Sequence, residues 1–469
     1  MNRETLNTDL LIIGAGPGGY VAAIYAARKG LDVVLVDRQY LGGTCLNVGC
    51  IPTKALVKAA DLYLEMREAH KFGLKAESVT FDLGEIIDRK DAVTSTLVGG
   101  IMTLLDKNKV RFLKGSCEFT GTKTARIDQG DKQVDVGFKN AIIATGSKTK
   151  HLPIPGTDLD LVYDSDKLLA NKILPKTLVV IGGGIIGMEF AFVYGRMGVN
   201  VQVIEFLPQI LPSLDKDLSQ RLHRYAKQAN LTLTTGAKVT GIARNEAGQA
   251  VVTYIHKDEE KHAEGDLVLE AVGRGPVIEG LQLEKAGIIR DRQNAITVDR
   301  RMRTNVPGIY AIGDVTNIMQ LAHVASHQAI VAVDNIVGTA KEMDYQAVPS
   351  VIFTAPQIAT IGKNENDLQA GNVPYTITKV PFAANGKALI MDNSQGFIKL
   401  LADPDTGTLL GAAVFGGDAE TLIAPLTVAM QSGMTASELK ETIFAHPTMA
   451  ELVHEGAMGL LGEAIHYLG

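Results

Sequence analysis

Short apolar runs that lead directly into glycine-rich loops mark the start of the chain. Residues 9–13 (DLLII) are almost entirely apolar, which is typical of a strand buried on both faces of a parallel sheet. The loop 14–19 (GAGPGG) follows, and the apolar spacing then predicts a helix through Lys29. A second apolar strand is expected over 32–36, and it ends at Asp37. This order predicts a strand–helix–strand unit of a parallel sheet.

The same arrangement recurs in the middle of the chain. A strand over 177–181 precedes the loop 182–187 (GGGIIG), and a helical pattern continues through Met197 before a second strand over 200–204. Glu205 ends this copy, and in both copies the acid follows the first glycine of the loop by 23 residues. A single loop of this kind is a weak indication. Two copies in the same frame strongly indicate two dinucleotide-binding units.

The glycines and the terminal acids of these units suit a dinucleotide. The first glycine permits a tight turn, the second lets the backbone approach a pyrophosphate, and the third lets helix and strand pack closely. The helix N-terminus offers unpaired N–H groups to the phosphates, and the acid accepts a hydrogen bond from a ribose hydroxyl. The predicted contacts are Gly14, Gly16, Gly19 and Asp37 in the first unit and Gly182, Gly184, Gly187 and Glu205 in the second.

The second unit is expected to prefer NAD to NADP. Glu205 repels the 2′-phosphate of NADP, whereas it accepts a hydrogen bond from the free hydroxyl of NAD. The three residues that follow it (FLP) include no arginine that could bind a phosphate.

Length and composition exclude several classes of protein. A chain of 469 residues is too long for one hydrophobic core and predicts about two to four domains. A net charge of −6 provides no basic surface for nucleic acid or for an anionic membrane. No apolar run approaches the roughly 18 residues of a membrane span, and we recognise no secretory signal. Three cysteines do not form a secreted disulfide scaffold, so we expect a cytoplasmic protein.

A cysteine pair follows the first unit, in the stretch 42–54 (GGTCLNVGCIPTK). The spacing of Cys45 and Cys50 differs from that of zinc knuckles and of C-x-x-C redox motifs, so no metal site is expected. Beside a bound redox cofactor, two thiols can pass two electrons between a disulfide and that cofactor. Two unrelated core cysteines are the alternative, which the neighbouring glycines and Pro52 disfavour. The third cysteine, Cys117, is expected to pack as a small hydrophobe.

With two nucleotide units and this cysteine pair, the chain resembles the pyridine nucleotide–disulfide oxidoreductases, and the stretch 42–54 is similar to that of the dihydrolipoyl dehydrogenases among them. The resemblance continues through 144–147 (ATGS), 304–314 (TNVPGIYAIGD) and 444–451 (FAHPTMAE), and so covers nearly the whole chain in order. It implies an α/β fold with two Rossmann-like dinucleotide-binding domains, one for FAD and one for NAD, and a C-terminal α+β dimerisation domain. The implied segments are 1–148 (first part of the FAD-binding domain), 149–273 (NAD-binding), 274–345 (second part of the FAD-binding, central domain) and 346–469 (dimerisation).

The resemblance also implies a reaction. Protein-bound dihydrolipoyl groups would be oxidised and NAD reduced, with electrons passing from the dithiol to Cys45–Cys50, then to FAD and then to NAD. Cys45 would exchange with the substrate and Cys50 would lie against the flavin, a division that the spacing alone does not decide. The implied partners are a second copy of the chain, in a homodimer, and lipoyl-bearing carrier domains of 2-oxo acid dehydrogenase or glycine cleavage complexes.

His446 is the implied general base, supplied by the partner subunit. Glu451 would orient its ring, as the acid of a catalytic triad does. The competing interpretation of Glu451 is a capping box that begins at Thr448, and one carboxylate is not expected to serve both roles with full geometry. Lys54 would lie near the flavin and pair with Glu189. The alternatives are a solvated lysine and a carboxylate favoured by the helix dipole.

Further cofactor contacts are implied by position alone. Asp314 would contact the ribityl chain of FAD, and the backbone around Cys117 would pass near its adenine. His323 either lines the flavin or contributes only its backbone. The remaining implied contacts are Thr44, Thr145, Gly146, Ser147, Val239, Gly273, Gln320, Leu321 and Ala322.

Several positions depart from the usual dihydrolipoyl dehydrogenase pattern. Phe444 stands in place of a histidine, and Asp37 stands in place of a glutamate. Gln328 and Ala329 replace a Glu–Gly pair, and Gln357 replaces a glutamate. No residue with a named chemical role is lost, but these departures leave open the subgroup and the surface that meets a lipoyl domain.

Three other functions compete with this interpretation. A glutathione reductase-like enzyme is disfavoured by Glu205, which favours NAD, and by Leu46 and Ile51, which fit the lipoyl branch better. A mercuric reductase is disfavoured because His446 is present and the C-terminus carries no additional cysteines. A non-enzymatic redox-sensing flavoprotein would require neither the cysteine pair nor the histidine–glutamate pair.

Overall fold

The apolar runs of the two repeated units form central, parallel strands of two separate sheets. A computed structural model describes residues 2–468 of the chain. The strands are β1 (Asn2–Ile13), β2 (Val33–Asp37), β3 (Arg111–Lys114), β4 (Ser116–Gly121), β5 (Thr124–Asp128), β6 (Lys132–Ile143), β7 (Ser147–Thr149), β8 (Val162–Tyr163), β9 (Thr177–Ile181), β10 (Asn200–Ile204), β11 (Leu231–Thr234), β12 (Ala237–Arg244), β13 (Ala250–His256), β14 (Glu259–Gly265), β15 (Leu267–Glu270), β16 (Arg274–Pro276), β17 (Ile309–Ala311), β18 (Ser350–Ile352), β19 (Ile358–Gly362), β20 (Thr376–Pro381), β21 (Phe397–Ala402) and β22 (Leu409–Phe415).

Helices connect the parallel strands and cover the antiparallel sheet near the C-terminus. The α-helices are α1 (Pro17–Arg28), α2 (Gly43–Val48), α3 (Cys50–Arg67), α4 (Leu83–Lys107), α5 (Ser165–Leu169), α6 (Ile185–Arg196), α7 (Lys216–Ala226), α8 (Ala322–Ile336), α9 (Glu365–Ala370), α10 (Gly386–Ile390), α11 (Ala419–Gln431), α12 (Ala436–Lys440) and α13 (Glu451–Leu460). Short 3₁₀ turns lie at Ala69–Phe72, Lys227–Ala229, Leu283–Ala286, Gly313–Thr316 and Phe382–Ala384. Within the described residues, no helix is both long enough and apolar enough to cross a membrane.

The first compact unit contains the residues up to Pro153, Tyr163–Leu174 and Ala271–Asp344. Its seven-stranded sheet has the order β3-β2-β1-β6-β5-β4, with β17 also paired to β6. The pairs formed by β1, β2, β3, β6 and β17 are parallel, whereas β4 and β5 form antiparallel pairs. Parallel neighbours require a crossover, and α1 supplies it between β1 and β2. The glycine loop and Asp37 therefore lie at the same edge of the sheet.

The second compact unit contains Ile154–Val162, Pro175–Glu270 and the residues from Tyr345 onward. One sheet has the order β11-β10-β9-β15-β8, in which the pairs among β9, β10, β11 and β15 are parallel. A three-stranded antiparallel sheet is formed by β12, β13 and β14. A further antiparallel sheet, β18-β19-β22-β21-β20, belongs to the C-terminal segment. Apolar residues of α11 and α13, including Leu426 and Val453, share one buried cluster with this sheet.

The predicted elements of the two repeats are present, with small differences at their ends. The strands predicted over 177–181 and 200–204 are confirmed with the same bounds, and each predicted helix ends one residue earlier than expected. Strand β1 begins at Asn2 rather than at residue 9, because the preceding residues pair with β6 from Lys132 onward. Among these residues Glu4, Thr5 and Asn7 are polar and exposed, so the segment lacks the continuous apolar signal of a buried parallel strand.

The predicted α/β fold class, with two glycine-loop units followed by an antiparallel C-terminal sheet, is confirmed. The chain passes between the compact units after Pro153, Val162, Leu174, Glu270 and Asp344. The division into four segments by cofactor and dimer contact stays a prediction.

Candidate active site

Two glycines are required by the close approach of helix and strand in the nucleotide units. A Cβ atom at Gly19 would lie 1.8 Å from the carbonyl oxygen of Gly14. A Cβ atom at Gly187 would lie 2.0 Å from the carbonyl oxygen of Gly182. Both distances are far below a van der Waals contact, so any larger residue would separate the helix from its strand.

The middle glycine of each loop, in contrast, borders open space. No atom lies within 4 Å of a Cβ built on Gly184, and only the Cα of Gly43, at 3.9 Å, lies near one built on Gly16. These two glycines are also the N-caps of α1 and α6, where no side chain caps the first N–H groups. Open space beside helix N–H groups that no side chain caps fits the pyrophosphate of a dinucleotide.

Asp37 and Glu205, the acids at the end of the two repeated units, each hold the glycine loop of their own unit through hydrogen bonds. Asp37 Oδ2 accepts a hydrogen bond from the backbone N–H of Ala15 at 2.7 Å, and its Oδ1 accepts from the N–H of Gln39 at 2.7 Å. Glu205 is buried; its Oε2 accepts from the N–H of Gly183 at 2.5 Å and its Oε1 from that of Leu207 at 2.6 Å. Sequence reasoning missed this bracing role, although the equal spacing of the two acids is its signature. The predicted ribose contacts stay a prediction.

The cysteine pair lies at a junction of two helices. Cys45 is in α2, and Cys50 is the first residue of α3, with Gly49 ending the first helix and preceding the second. The two thiols are unbridged, and Cys45 is half-buried whereas Cys50 is exposed. Cys50 at a helix N-terminus is placed where the dipole favours a thiolate. Which thiol meets the substrate stays a prediction.

The thiols influence each other directly. A hydrogen bond with the Cys50 thiol raises the pKa of Cys45, and burial raises it further. The backbone amide of Cys50 and the charge of Lys54 act in the opposite direction and lower it. Lys54 is one helical turn beyond Cys50 in α3, so its charge is placed to favour a thiolate.

Cys117 has a different environment. Its side chain is buried in the core of the first sheet, and burial raises its pKa to about 12. Because only the thiolate is nucleophilic, this cysteine is inert at neutral pH. The predicted packing role is confirmed, whereas the backbone contact with FAD stays a prediction.

The histidine–glutamate pair at the C-terminus is formed. His446 Nδ1 lies 2.9 Å from Glu451 Oε1, and the backbone N–H of Thr448 donates to Glu451 Oε2 at 2.9 Å. Glu451 therefore contacts His446 and the Thr448 amide through different oxygens. The capping box expected from Thr448 is not formed, because the N-cap of α13 is Ala450, without a side-chain cap, and the Thr448 hydroxyl donates to the Ala445 carbonyl. The catalytic role of Glu451 stays a prediction. Burial raises the pKa of Glu451, but the Thr448 amide and the His446 contacts outweigh it, so the net shift is downward.

The imidazole of His446 is presented outward. Its side chain is 80% exposed, so its Nε2 edge is accessible to a reacting group. With the carboxylate accepting at Nδ1, the neutral ring carries its proton on Nδ1 and leaves Nε2 free to act as a base. This is the arrangement that proton abstraction from a thiol requires.

A hydrogen-bonded chain links three polar residues of the first unit. Ser147 Oγ donates to Asp314 Oδ2 at 2.6 Å, and Arg274 Nε donates to Ser147 Oγ at 2.8 Å. Sequence reasoning identified Ser147 and Asp314 but missed Arg274. Arg274 directly follows Gly273 in the sequence, but its contact with Ser147 depends on the pairing of their strands, which only the structure shows.

The structure places the other predicted contact residues in several elements. Glu189 is buried in α6 and accepts from the backbone N–H of Phe353 at 3.0 Å, whereas Lys54 belongs to the other compact unit, so their pairing stays a prediction.

Thr145 Oγ1 donates to the carbonyl of Val277 at 2.6 Å. Val239 lies in β12, and Gly273 has a φ of +109°. At the start of α8 lie Gln320, Leu321, Ala322 and His323, while Thr44 lies in α2 and Gly146 directly precedes β7.

Comparison with known families accounts for most of the chain. Residues 8–329 match the family described as pyridine nucleotide-disulphide oxidoreductase. Residues 348–457 match the dimerisation domain of the same family.

Curated relatives and solved structures are similar over nearly the full length. A dihydrolipoyl dehydrogenase from Haloferax volcanii is 40% identical, with 98% of each chain covered. One from Geobacillus stearothermophilus is also 40% identical and covers 99% of this chain and 98% of its own. The structure of LpdA from Mycobacterium tuberculosis has a TM-score of 0.90 at 29% identity, covering 96% of this chain and 99% of its own. The Cu(II) complex of the HOCl-induced flavoprotein disulfide reductase RclA from Escherichia coli has a TM-score of 0.87 at 29% identity, covering 97% and 99%.

Proposed function

Because the chain belongs to the pyridine nucleotide-disulphide oxidoreductase family, we propose that it oxidises protein-bound dihydrolipoyl groups to lipoyl groups and reduces NAD to NADH. The observation that carries this proposal is the thiol pair Cys45–Cys50, placed at a helix junction beside a dinucleotide loop. Oxidation of the dithiol releases two electrons and two protons. NAD takes both electrons and one proton, and the second proton passes to solvent.

The protein's own residues perform the thiol chemistry. One thiolate of the substrate attacks Cys45 of the Cys45–Cys50 disulfide, and Cys50 leaves as a thiolate. The second substrate thiol then attacks the mixed disulfide and releases Cys45, so that the substrate becomes the cyclic disulfide. His446 takes the proton of the attacking thiol, and Glu451 stabilises the resulting imidazolium.

Two dinucleotides complete the reaction. FAD, when bound, supplies the two-electron acceptor for the dithiol form and the donor for NAD. The residues proposed to hold it are the first glycine loop, Asp37 and Asp314. The residues proposed to hold NAD are the second glycine loop and Glu205, whose carboxylate disfavours a 2′-phosphate.

The partners follow from the same family. The match to its dimerisation domain supports a homodimer, in which we infer that His446 of one subunit serves the cysteines of the other. The carriers are inferred to be lipoyl domains of 2-oxo acid dehydrogenase or glycine cleavage complexes. The small number of cysteines supports action in the cytoplasm, where thiols remain reduced.

The proposal is tested by assaying the FAD-loaded protein with dihydrolipoamide and either NAD or NADP. We expect reduction of NAD and at least about a tenfold lower kcat/KM with NADP, because Glu205 repels the extra phosphate. A parallel assay supplies NADPH and oxidised glutathione. Turnover there, with none in the dihydrolipoamide assay, would establish the glutathione reductase-like alternative.

Replacing Glu451 with glutamine is expected to lower kcat with dihydrolipoamide on the order of 10²- to 10⁴-fold. The amide oxygen of glutamine can still accept from the Thr448 N–H, but its NH₂ group then faces His446 Nδ1. The ring must accept at Nδ1 and carry its proton on Nε2, where it can no longer act as a base. Steady-state kinetics with dihydrolipoamide measure the loss.

A control variant on the same helix is Glu455→Gln. Glu455 contacts His466 Nδ1 at 3.0 Å, so this variant loses a carboxylate–imidazole contact of the same kind. We expect it to change kcat by no more than a few-fold. Equal losses of kcat in Glu451→Gln and Glu455→Gln would show that the carboxylate of Glu451 stabilises α13 and does not orient a catalytic histidine.

A further inference from the structure

Arg274 begins the second strand of a two-stranded antiparallel ribbon, β7–β16. In this ribbon Arg274 is opposite Thr149, and Pro276 is opposite Ser147. Arg274 uses two donors on one residue, because Nε donates to Ser147 Oγ at 2.8 Å and Nη2 donates to the Ser147 carbonyl at 2.7 Å. This forked contact fixes the serine side chain and its backbone together.

The direction of the hydrogen bonds is determined by the donor inventory. A guanidinium group can only donate, so Ser147 Oγ is an acceptor in its contact with Arg274. The hydroxyl has one proton, and this proton is therefore free for the carboxylate of Asp314, whose Oδ2 lies 2.6 Å away. Arg274 thus aligns Ser147 as a donor toward Asp314, and the carboxylate is held as an acceptor.

The environment of Asp314 makes this arrangement necessary. Burial raises the pKa of Asp314 overall, and the Ser147 hydrogen bond and the Arg274 charge limit that rise. Arg274 also acts on Asp166, at the start of α5: burial and the charge of Asp164 raise the pKa of Asp166 overall, and the Arg274 charge opposes that rise. Without the guanidinium, both acids would lose a positive charge that opposes the rise of their pKa.

We propose that Arg274 is a positioning residue for FAD, acting through Ser147 to hold Asp314 as an oriented acceptor for the ribityl hydroxyls. This inference rests on the proposed contact between Asp314 and the cofactor. Arg274 itself does not touch the flavin in this scheme. It determines how tightly the flavin is held and does not take part in electron transfer.

The test is a double-mutant cycle on the FAD-loaded dimer, with the rate of FAD release measured by the recovery of flavin fluorescence. Arg274→Met and Ser147→Ala are each expected to accelerate release about tenfold, as expected for loss of a charge-assisted hydrogen bond. The double variant is expected to release FAD no faster than the faster single variant, because both act on one chain. Additive effects, or an unchanged rate in Arg274→Met, would overturn the proposal.

Three further variants separate its possible failures. Lys148→Met removes the exposed ion pair with Glu279 on the same ribbon, and the rate of FAD release is expected to stay at the wild-type value. Arg274→Lys keeps the charge but not the fork, and an intermediate rate is expected. Asp314→Asn tests the premise: fast FAD release in this variant but not in Arg274→Met rejects only the role of Arg274. Unchanged release in Asp314→Asn rejects the proposed flavin contact itself.

Discussion

Replacing Cys50 with serine is expected to abolish NAD reduction by dihydrolipoamide while leaving electron transfer from NADH to ferricyanide intact. A serine hydroxyl cannot form the Cys45–Cys50 disulfide, so the substrate dithiol loses its only electron acceptor among the residues of the site. The loss in kcat is expected to be on the order of 10⁴-fold or more, as for removal of a catalytic nucleophile. Ferricyanide takes electrons from the flavin and does not need the thiols, so this second assay verifies that both dinucleotide sites remain functional.

The matched control is Cys117→Ser. Cys117 is buried and its pKa is raised to about 12, so dihydrolipoamide turnover is expected to be unchanged apart from a lower stability. If Cys50→Ser retained substantial dihydrolipoamide turnover, the redox role of the pair would be wrong.

Alkylation decides which of the two cysteines exchanges with the substrate. In the NADH-reduced holoenzyme, iodoacetamide is expected to label Cys45 before Cys50, with mass spectrometry identifying the modified peptide. Preferential labelling of Cys50, the more exposed thiol in this structure, would reverse the proposed roles.

Replacing Lys399 with methionine is expected to lower the free energy of unfolding by about 3–5 kcal/mol. Lys399 is 1% exposed in strand β21, and its Nζ donates to Glu365 at 2.7 Å and to Asp217 at 3.2 Å and also contacts Asp215. These three acids lie close enough together to suggest a cation site, and the ammonium group of Lys399 occupies their centre. Its removal takes the buried cation away from three carboxylates that face one another. Urea unfolding of the holoenzyme measures the effect.

A lysine on the same acids provides the control. Lys379 pairs with Asp217 at 2.7 Å but is 44% exposed, so Lys379→Met is expected to cost no more than about 1 kcal/mol. In addition, Asp215→Asn in the Lys399→Met background is expected to recover part of the lost stability, because it removes one of the unpaired charges. Equal losses for the two lysine variants would mean that burial does not strengthen this network.

The same network has a defined pH range. Burial lowers the pKa of Lys399, but the hydrogen bonds to Asp215 and Glu365 outweigh it and raise the pKa overall. Its contribution is therefore complete below the ordinary lysine value of about 10.4 and is lost as the pH rises through the folded value. Burial raises the pKa of Asp217, but its lysine contacts lower it overall, so this contribution is present above about 3.9 and is lost as the pH falls. Urea midpoints between about pH 5 and 9 should therefore vary little from this source.

The sequence predicted the features that repeat or lie close together in the chain. Both glycine loops, their strands and their acids follow from local patterns, and the pair His446–Glu451 is separated by only five residues. The antiparallel C-terminal sheet was implied by resemblance alone, since its strands carry no comparable local signal.

The missed contacts involve residues that are distant in sequence. Lys399 meets acids at positions 215, 217 and 365, and a lysine in a strand pattern ordinarily indicates a solvent-facing position. Arg274 and Ser147 are 127 residues apart and meet only because their strands pair. The two contacts of Glu451, with His446 and with the Thr448 amide, depend on the direction of each carboxylate oxygen. The spacing of residues in the sequence does not predict that direction.

The bracing of the second glycine loop by Glu205 limits how this protein could acquire a different coenzyme. An exchange of Glu205 for a small or basic residue is the obvious route toward NADP, yet it also removes the acceptor for the N–H groups of Gly183 and Leu207. That exchange alone would make room for a 2′-phosphate, but the second glycine loop would lose the contacts that hold it. Coenzyme switching here therefore requires paired substitutions, one that removes the charge and one that restores an acceptor for those amides.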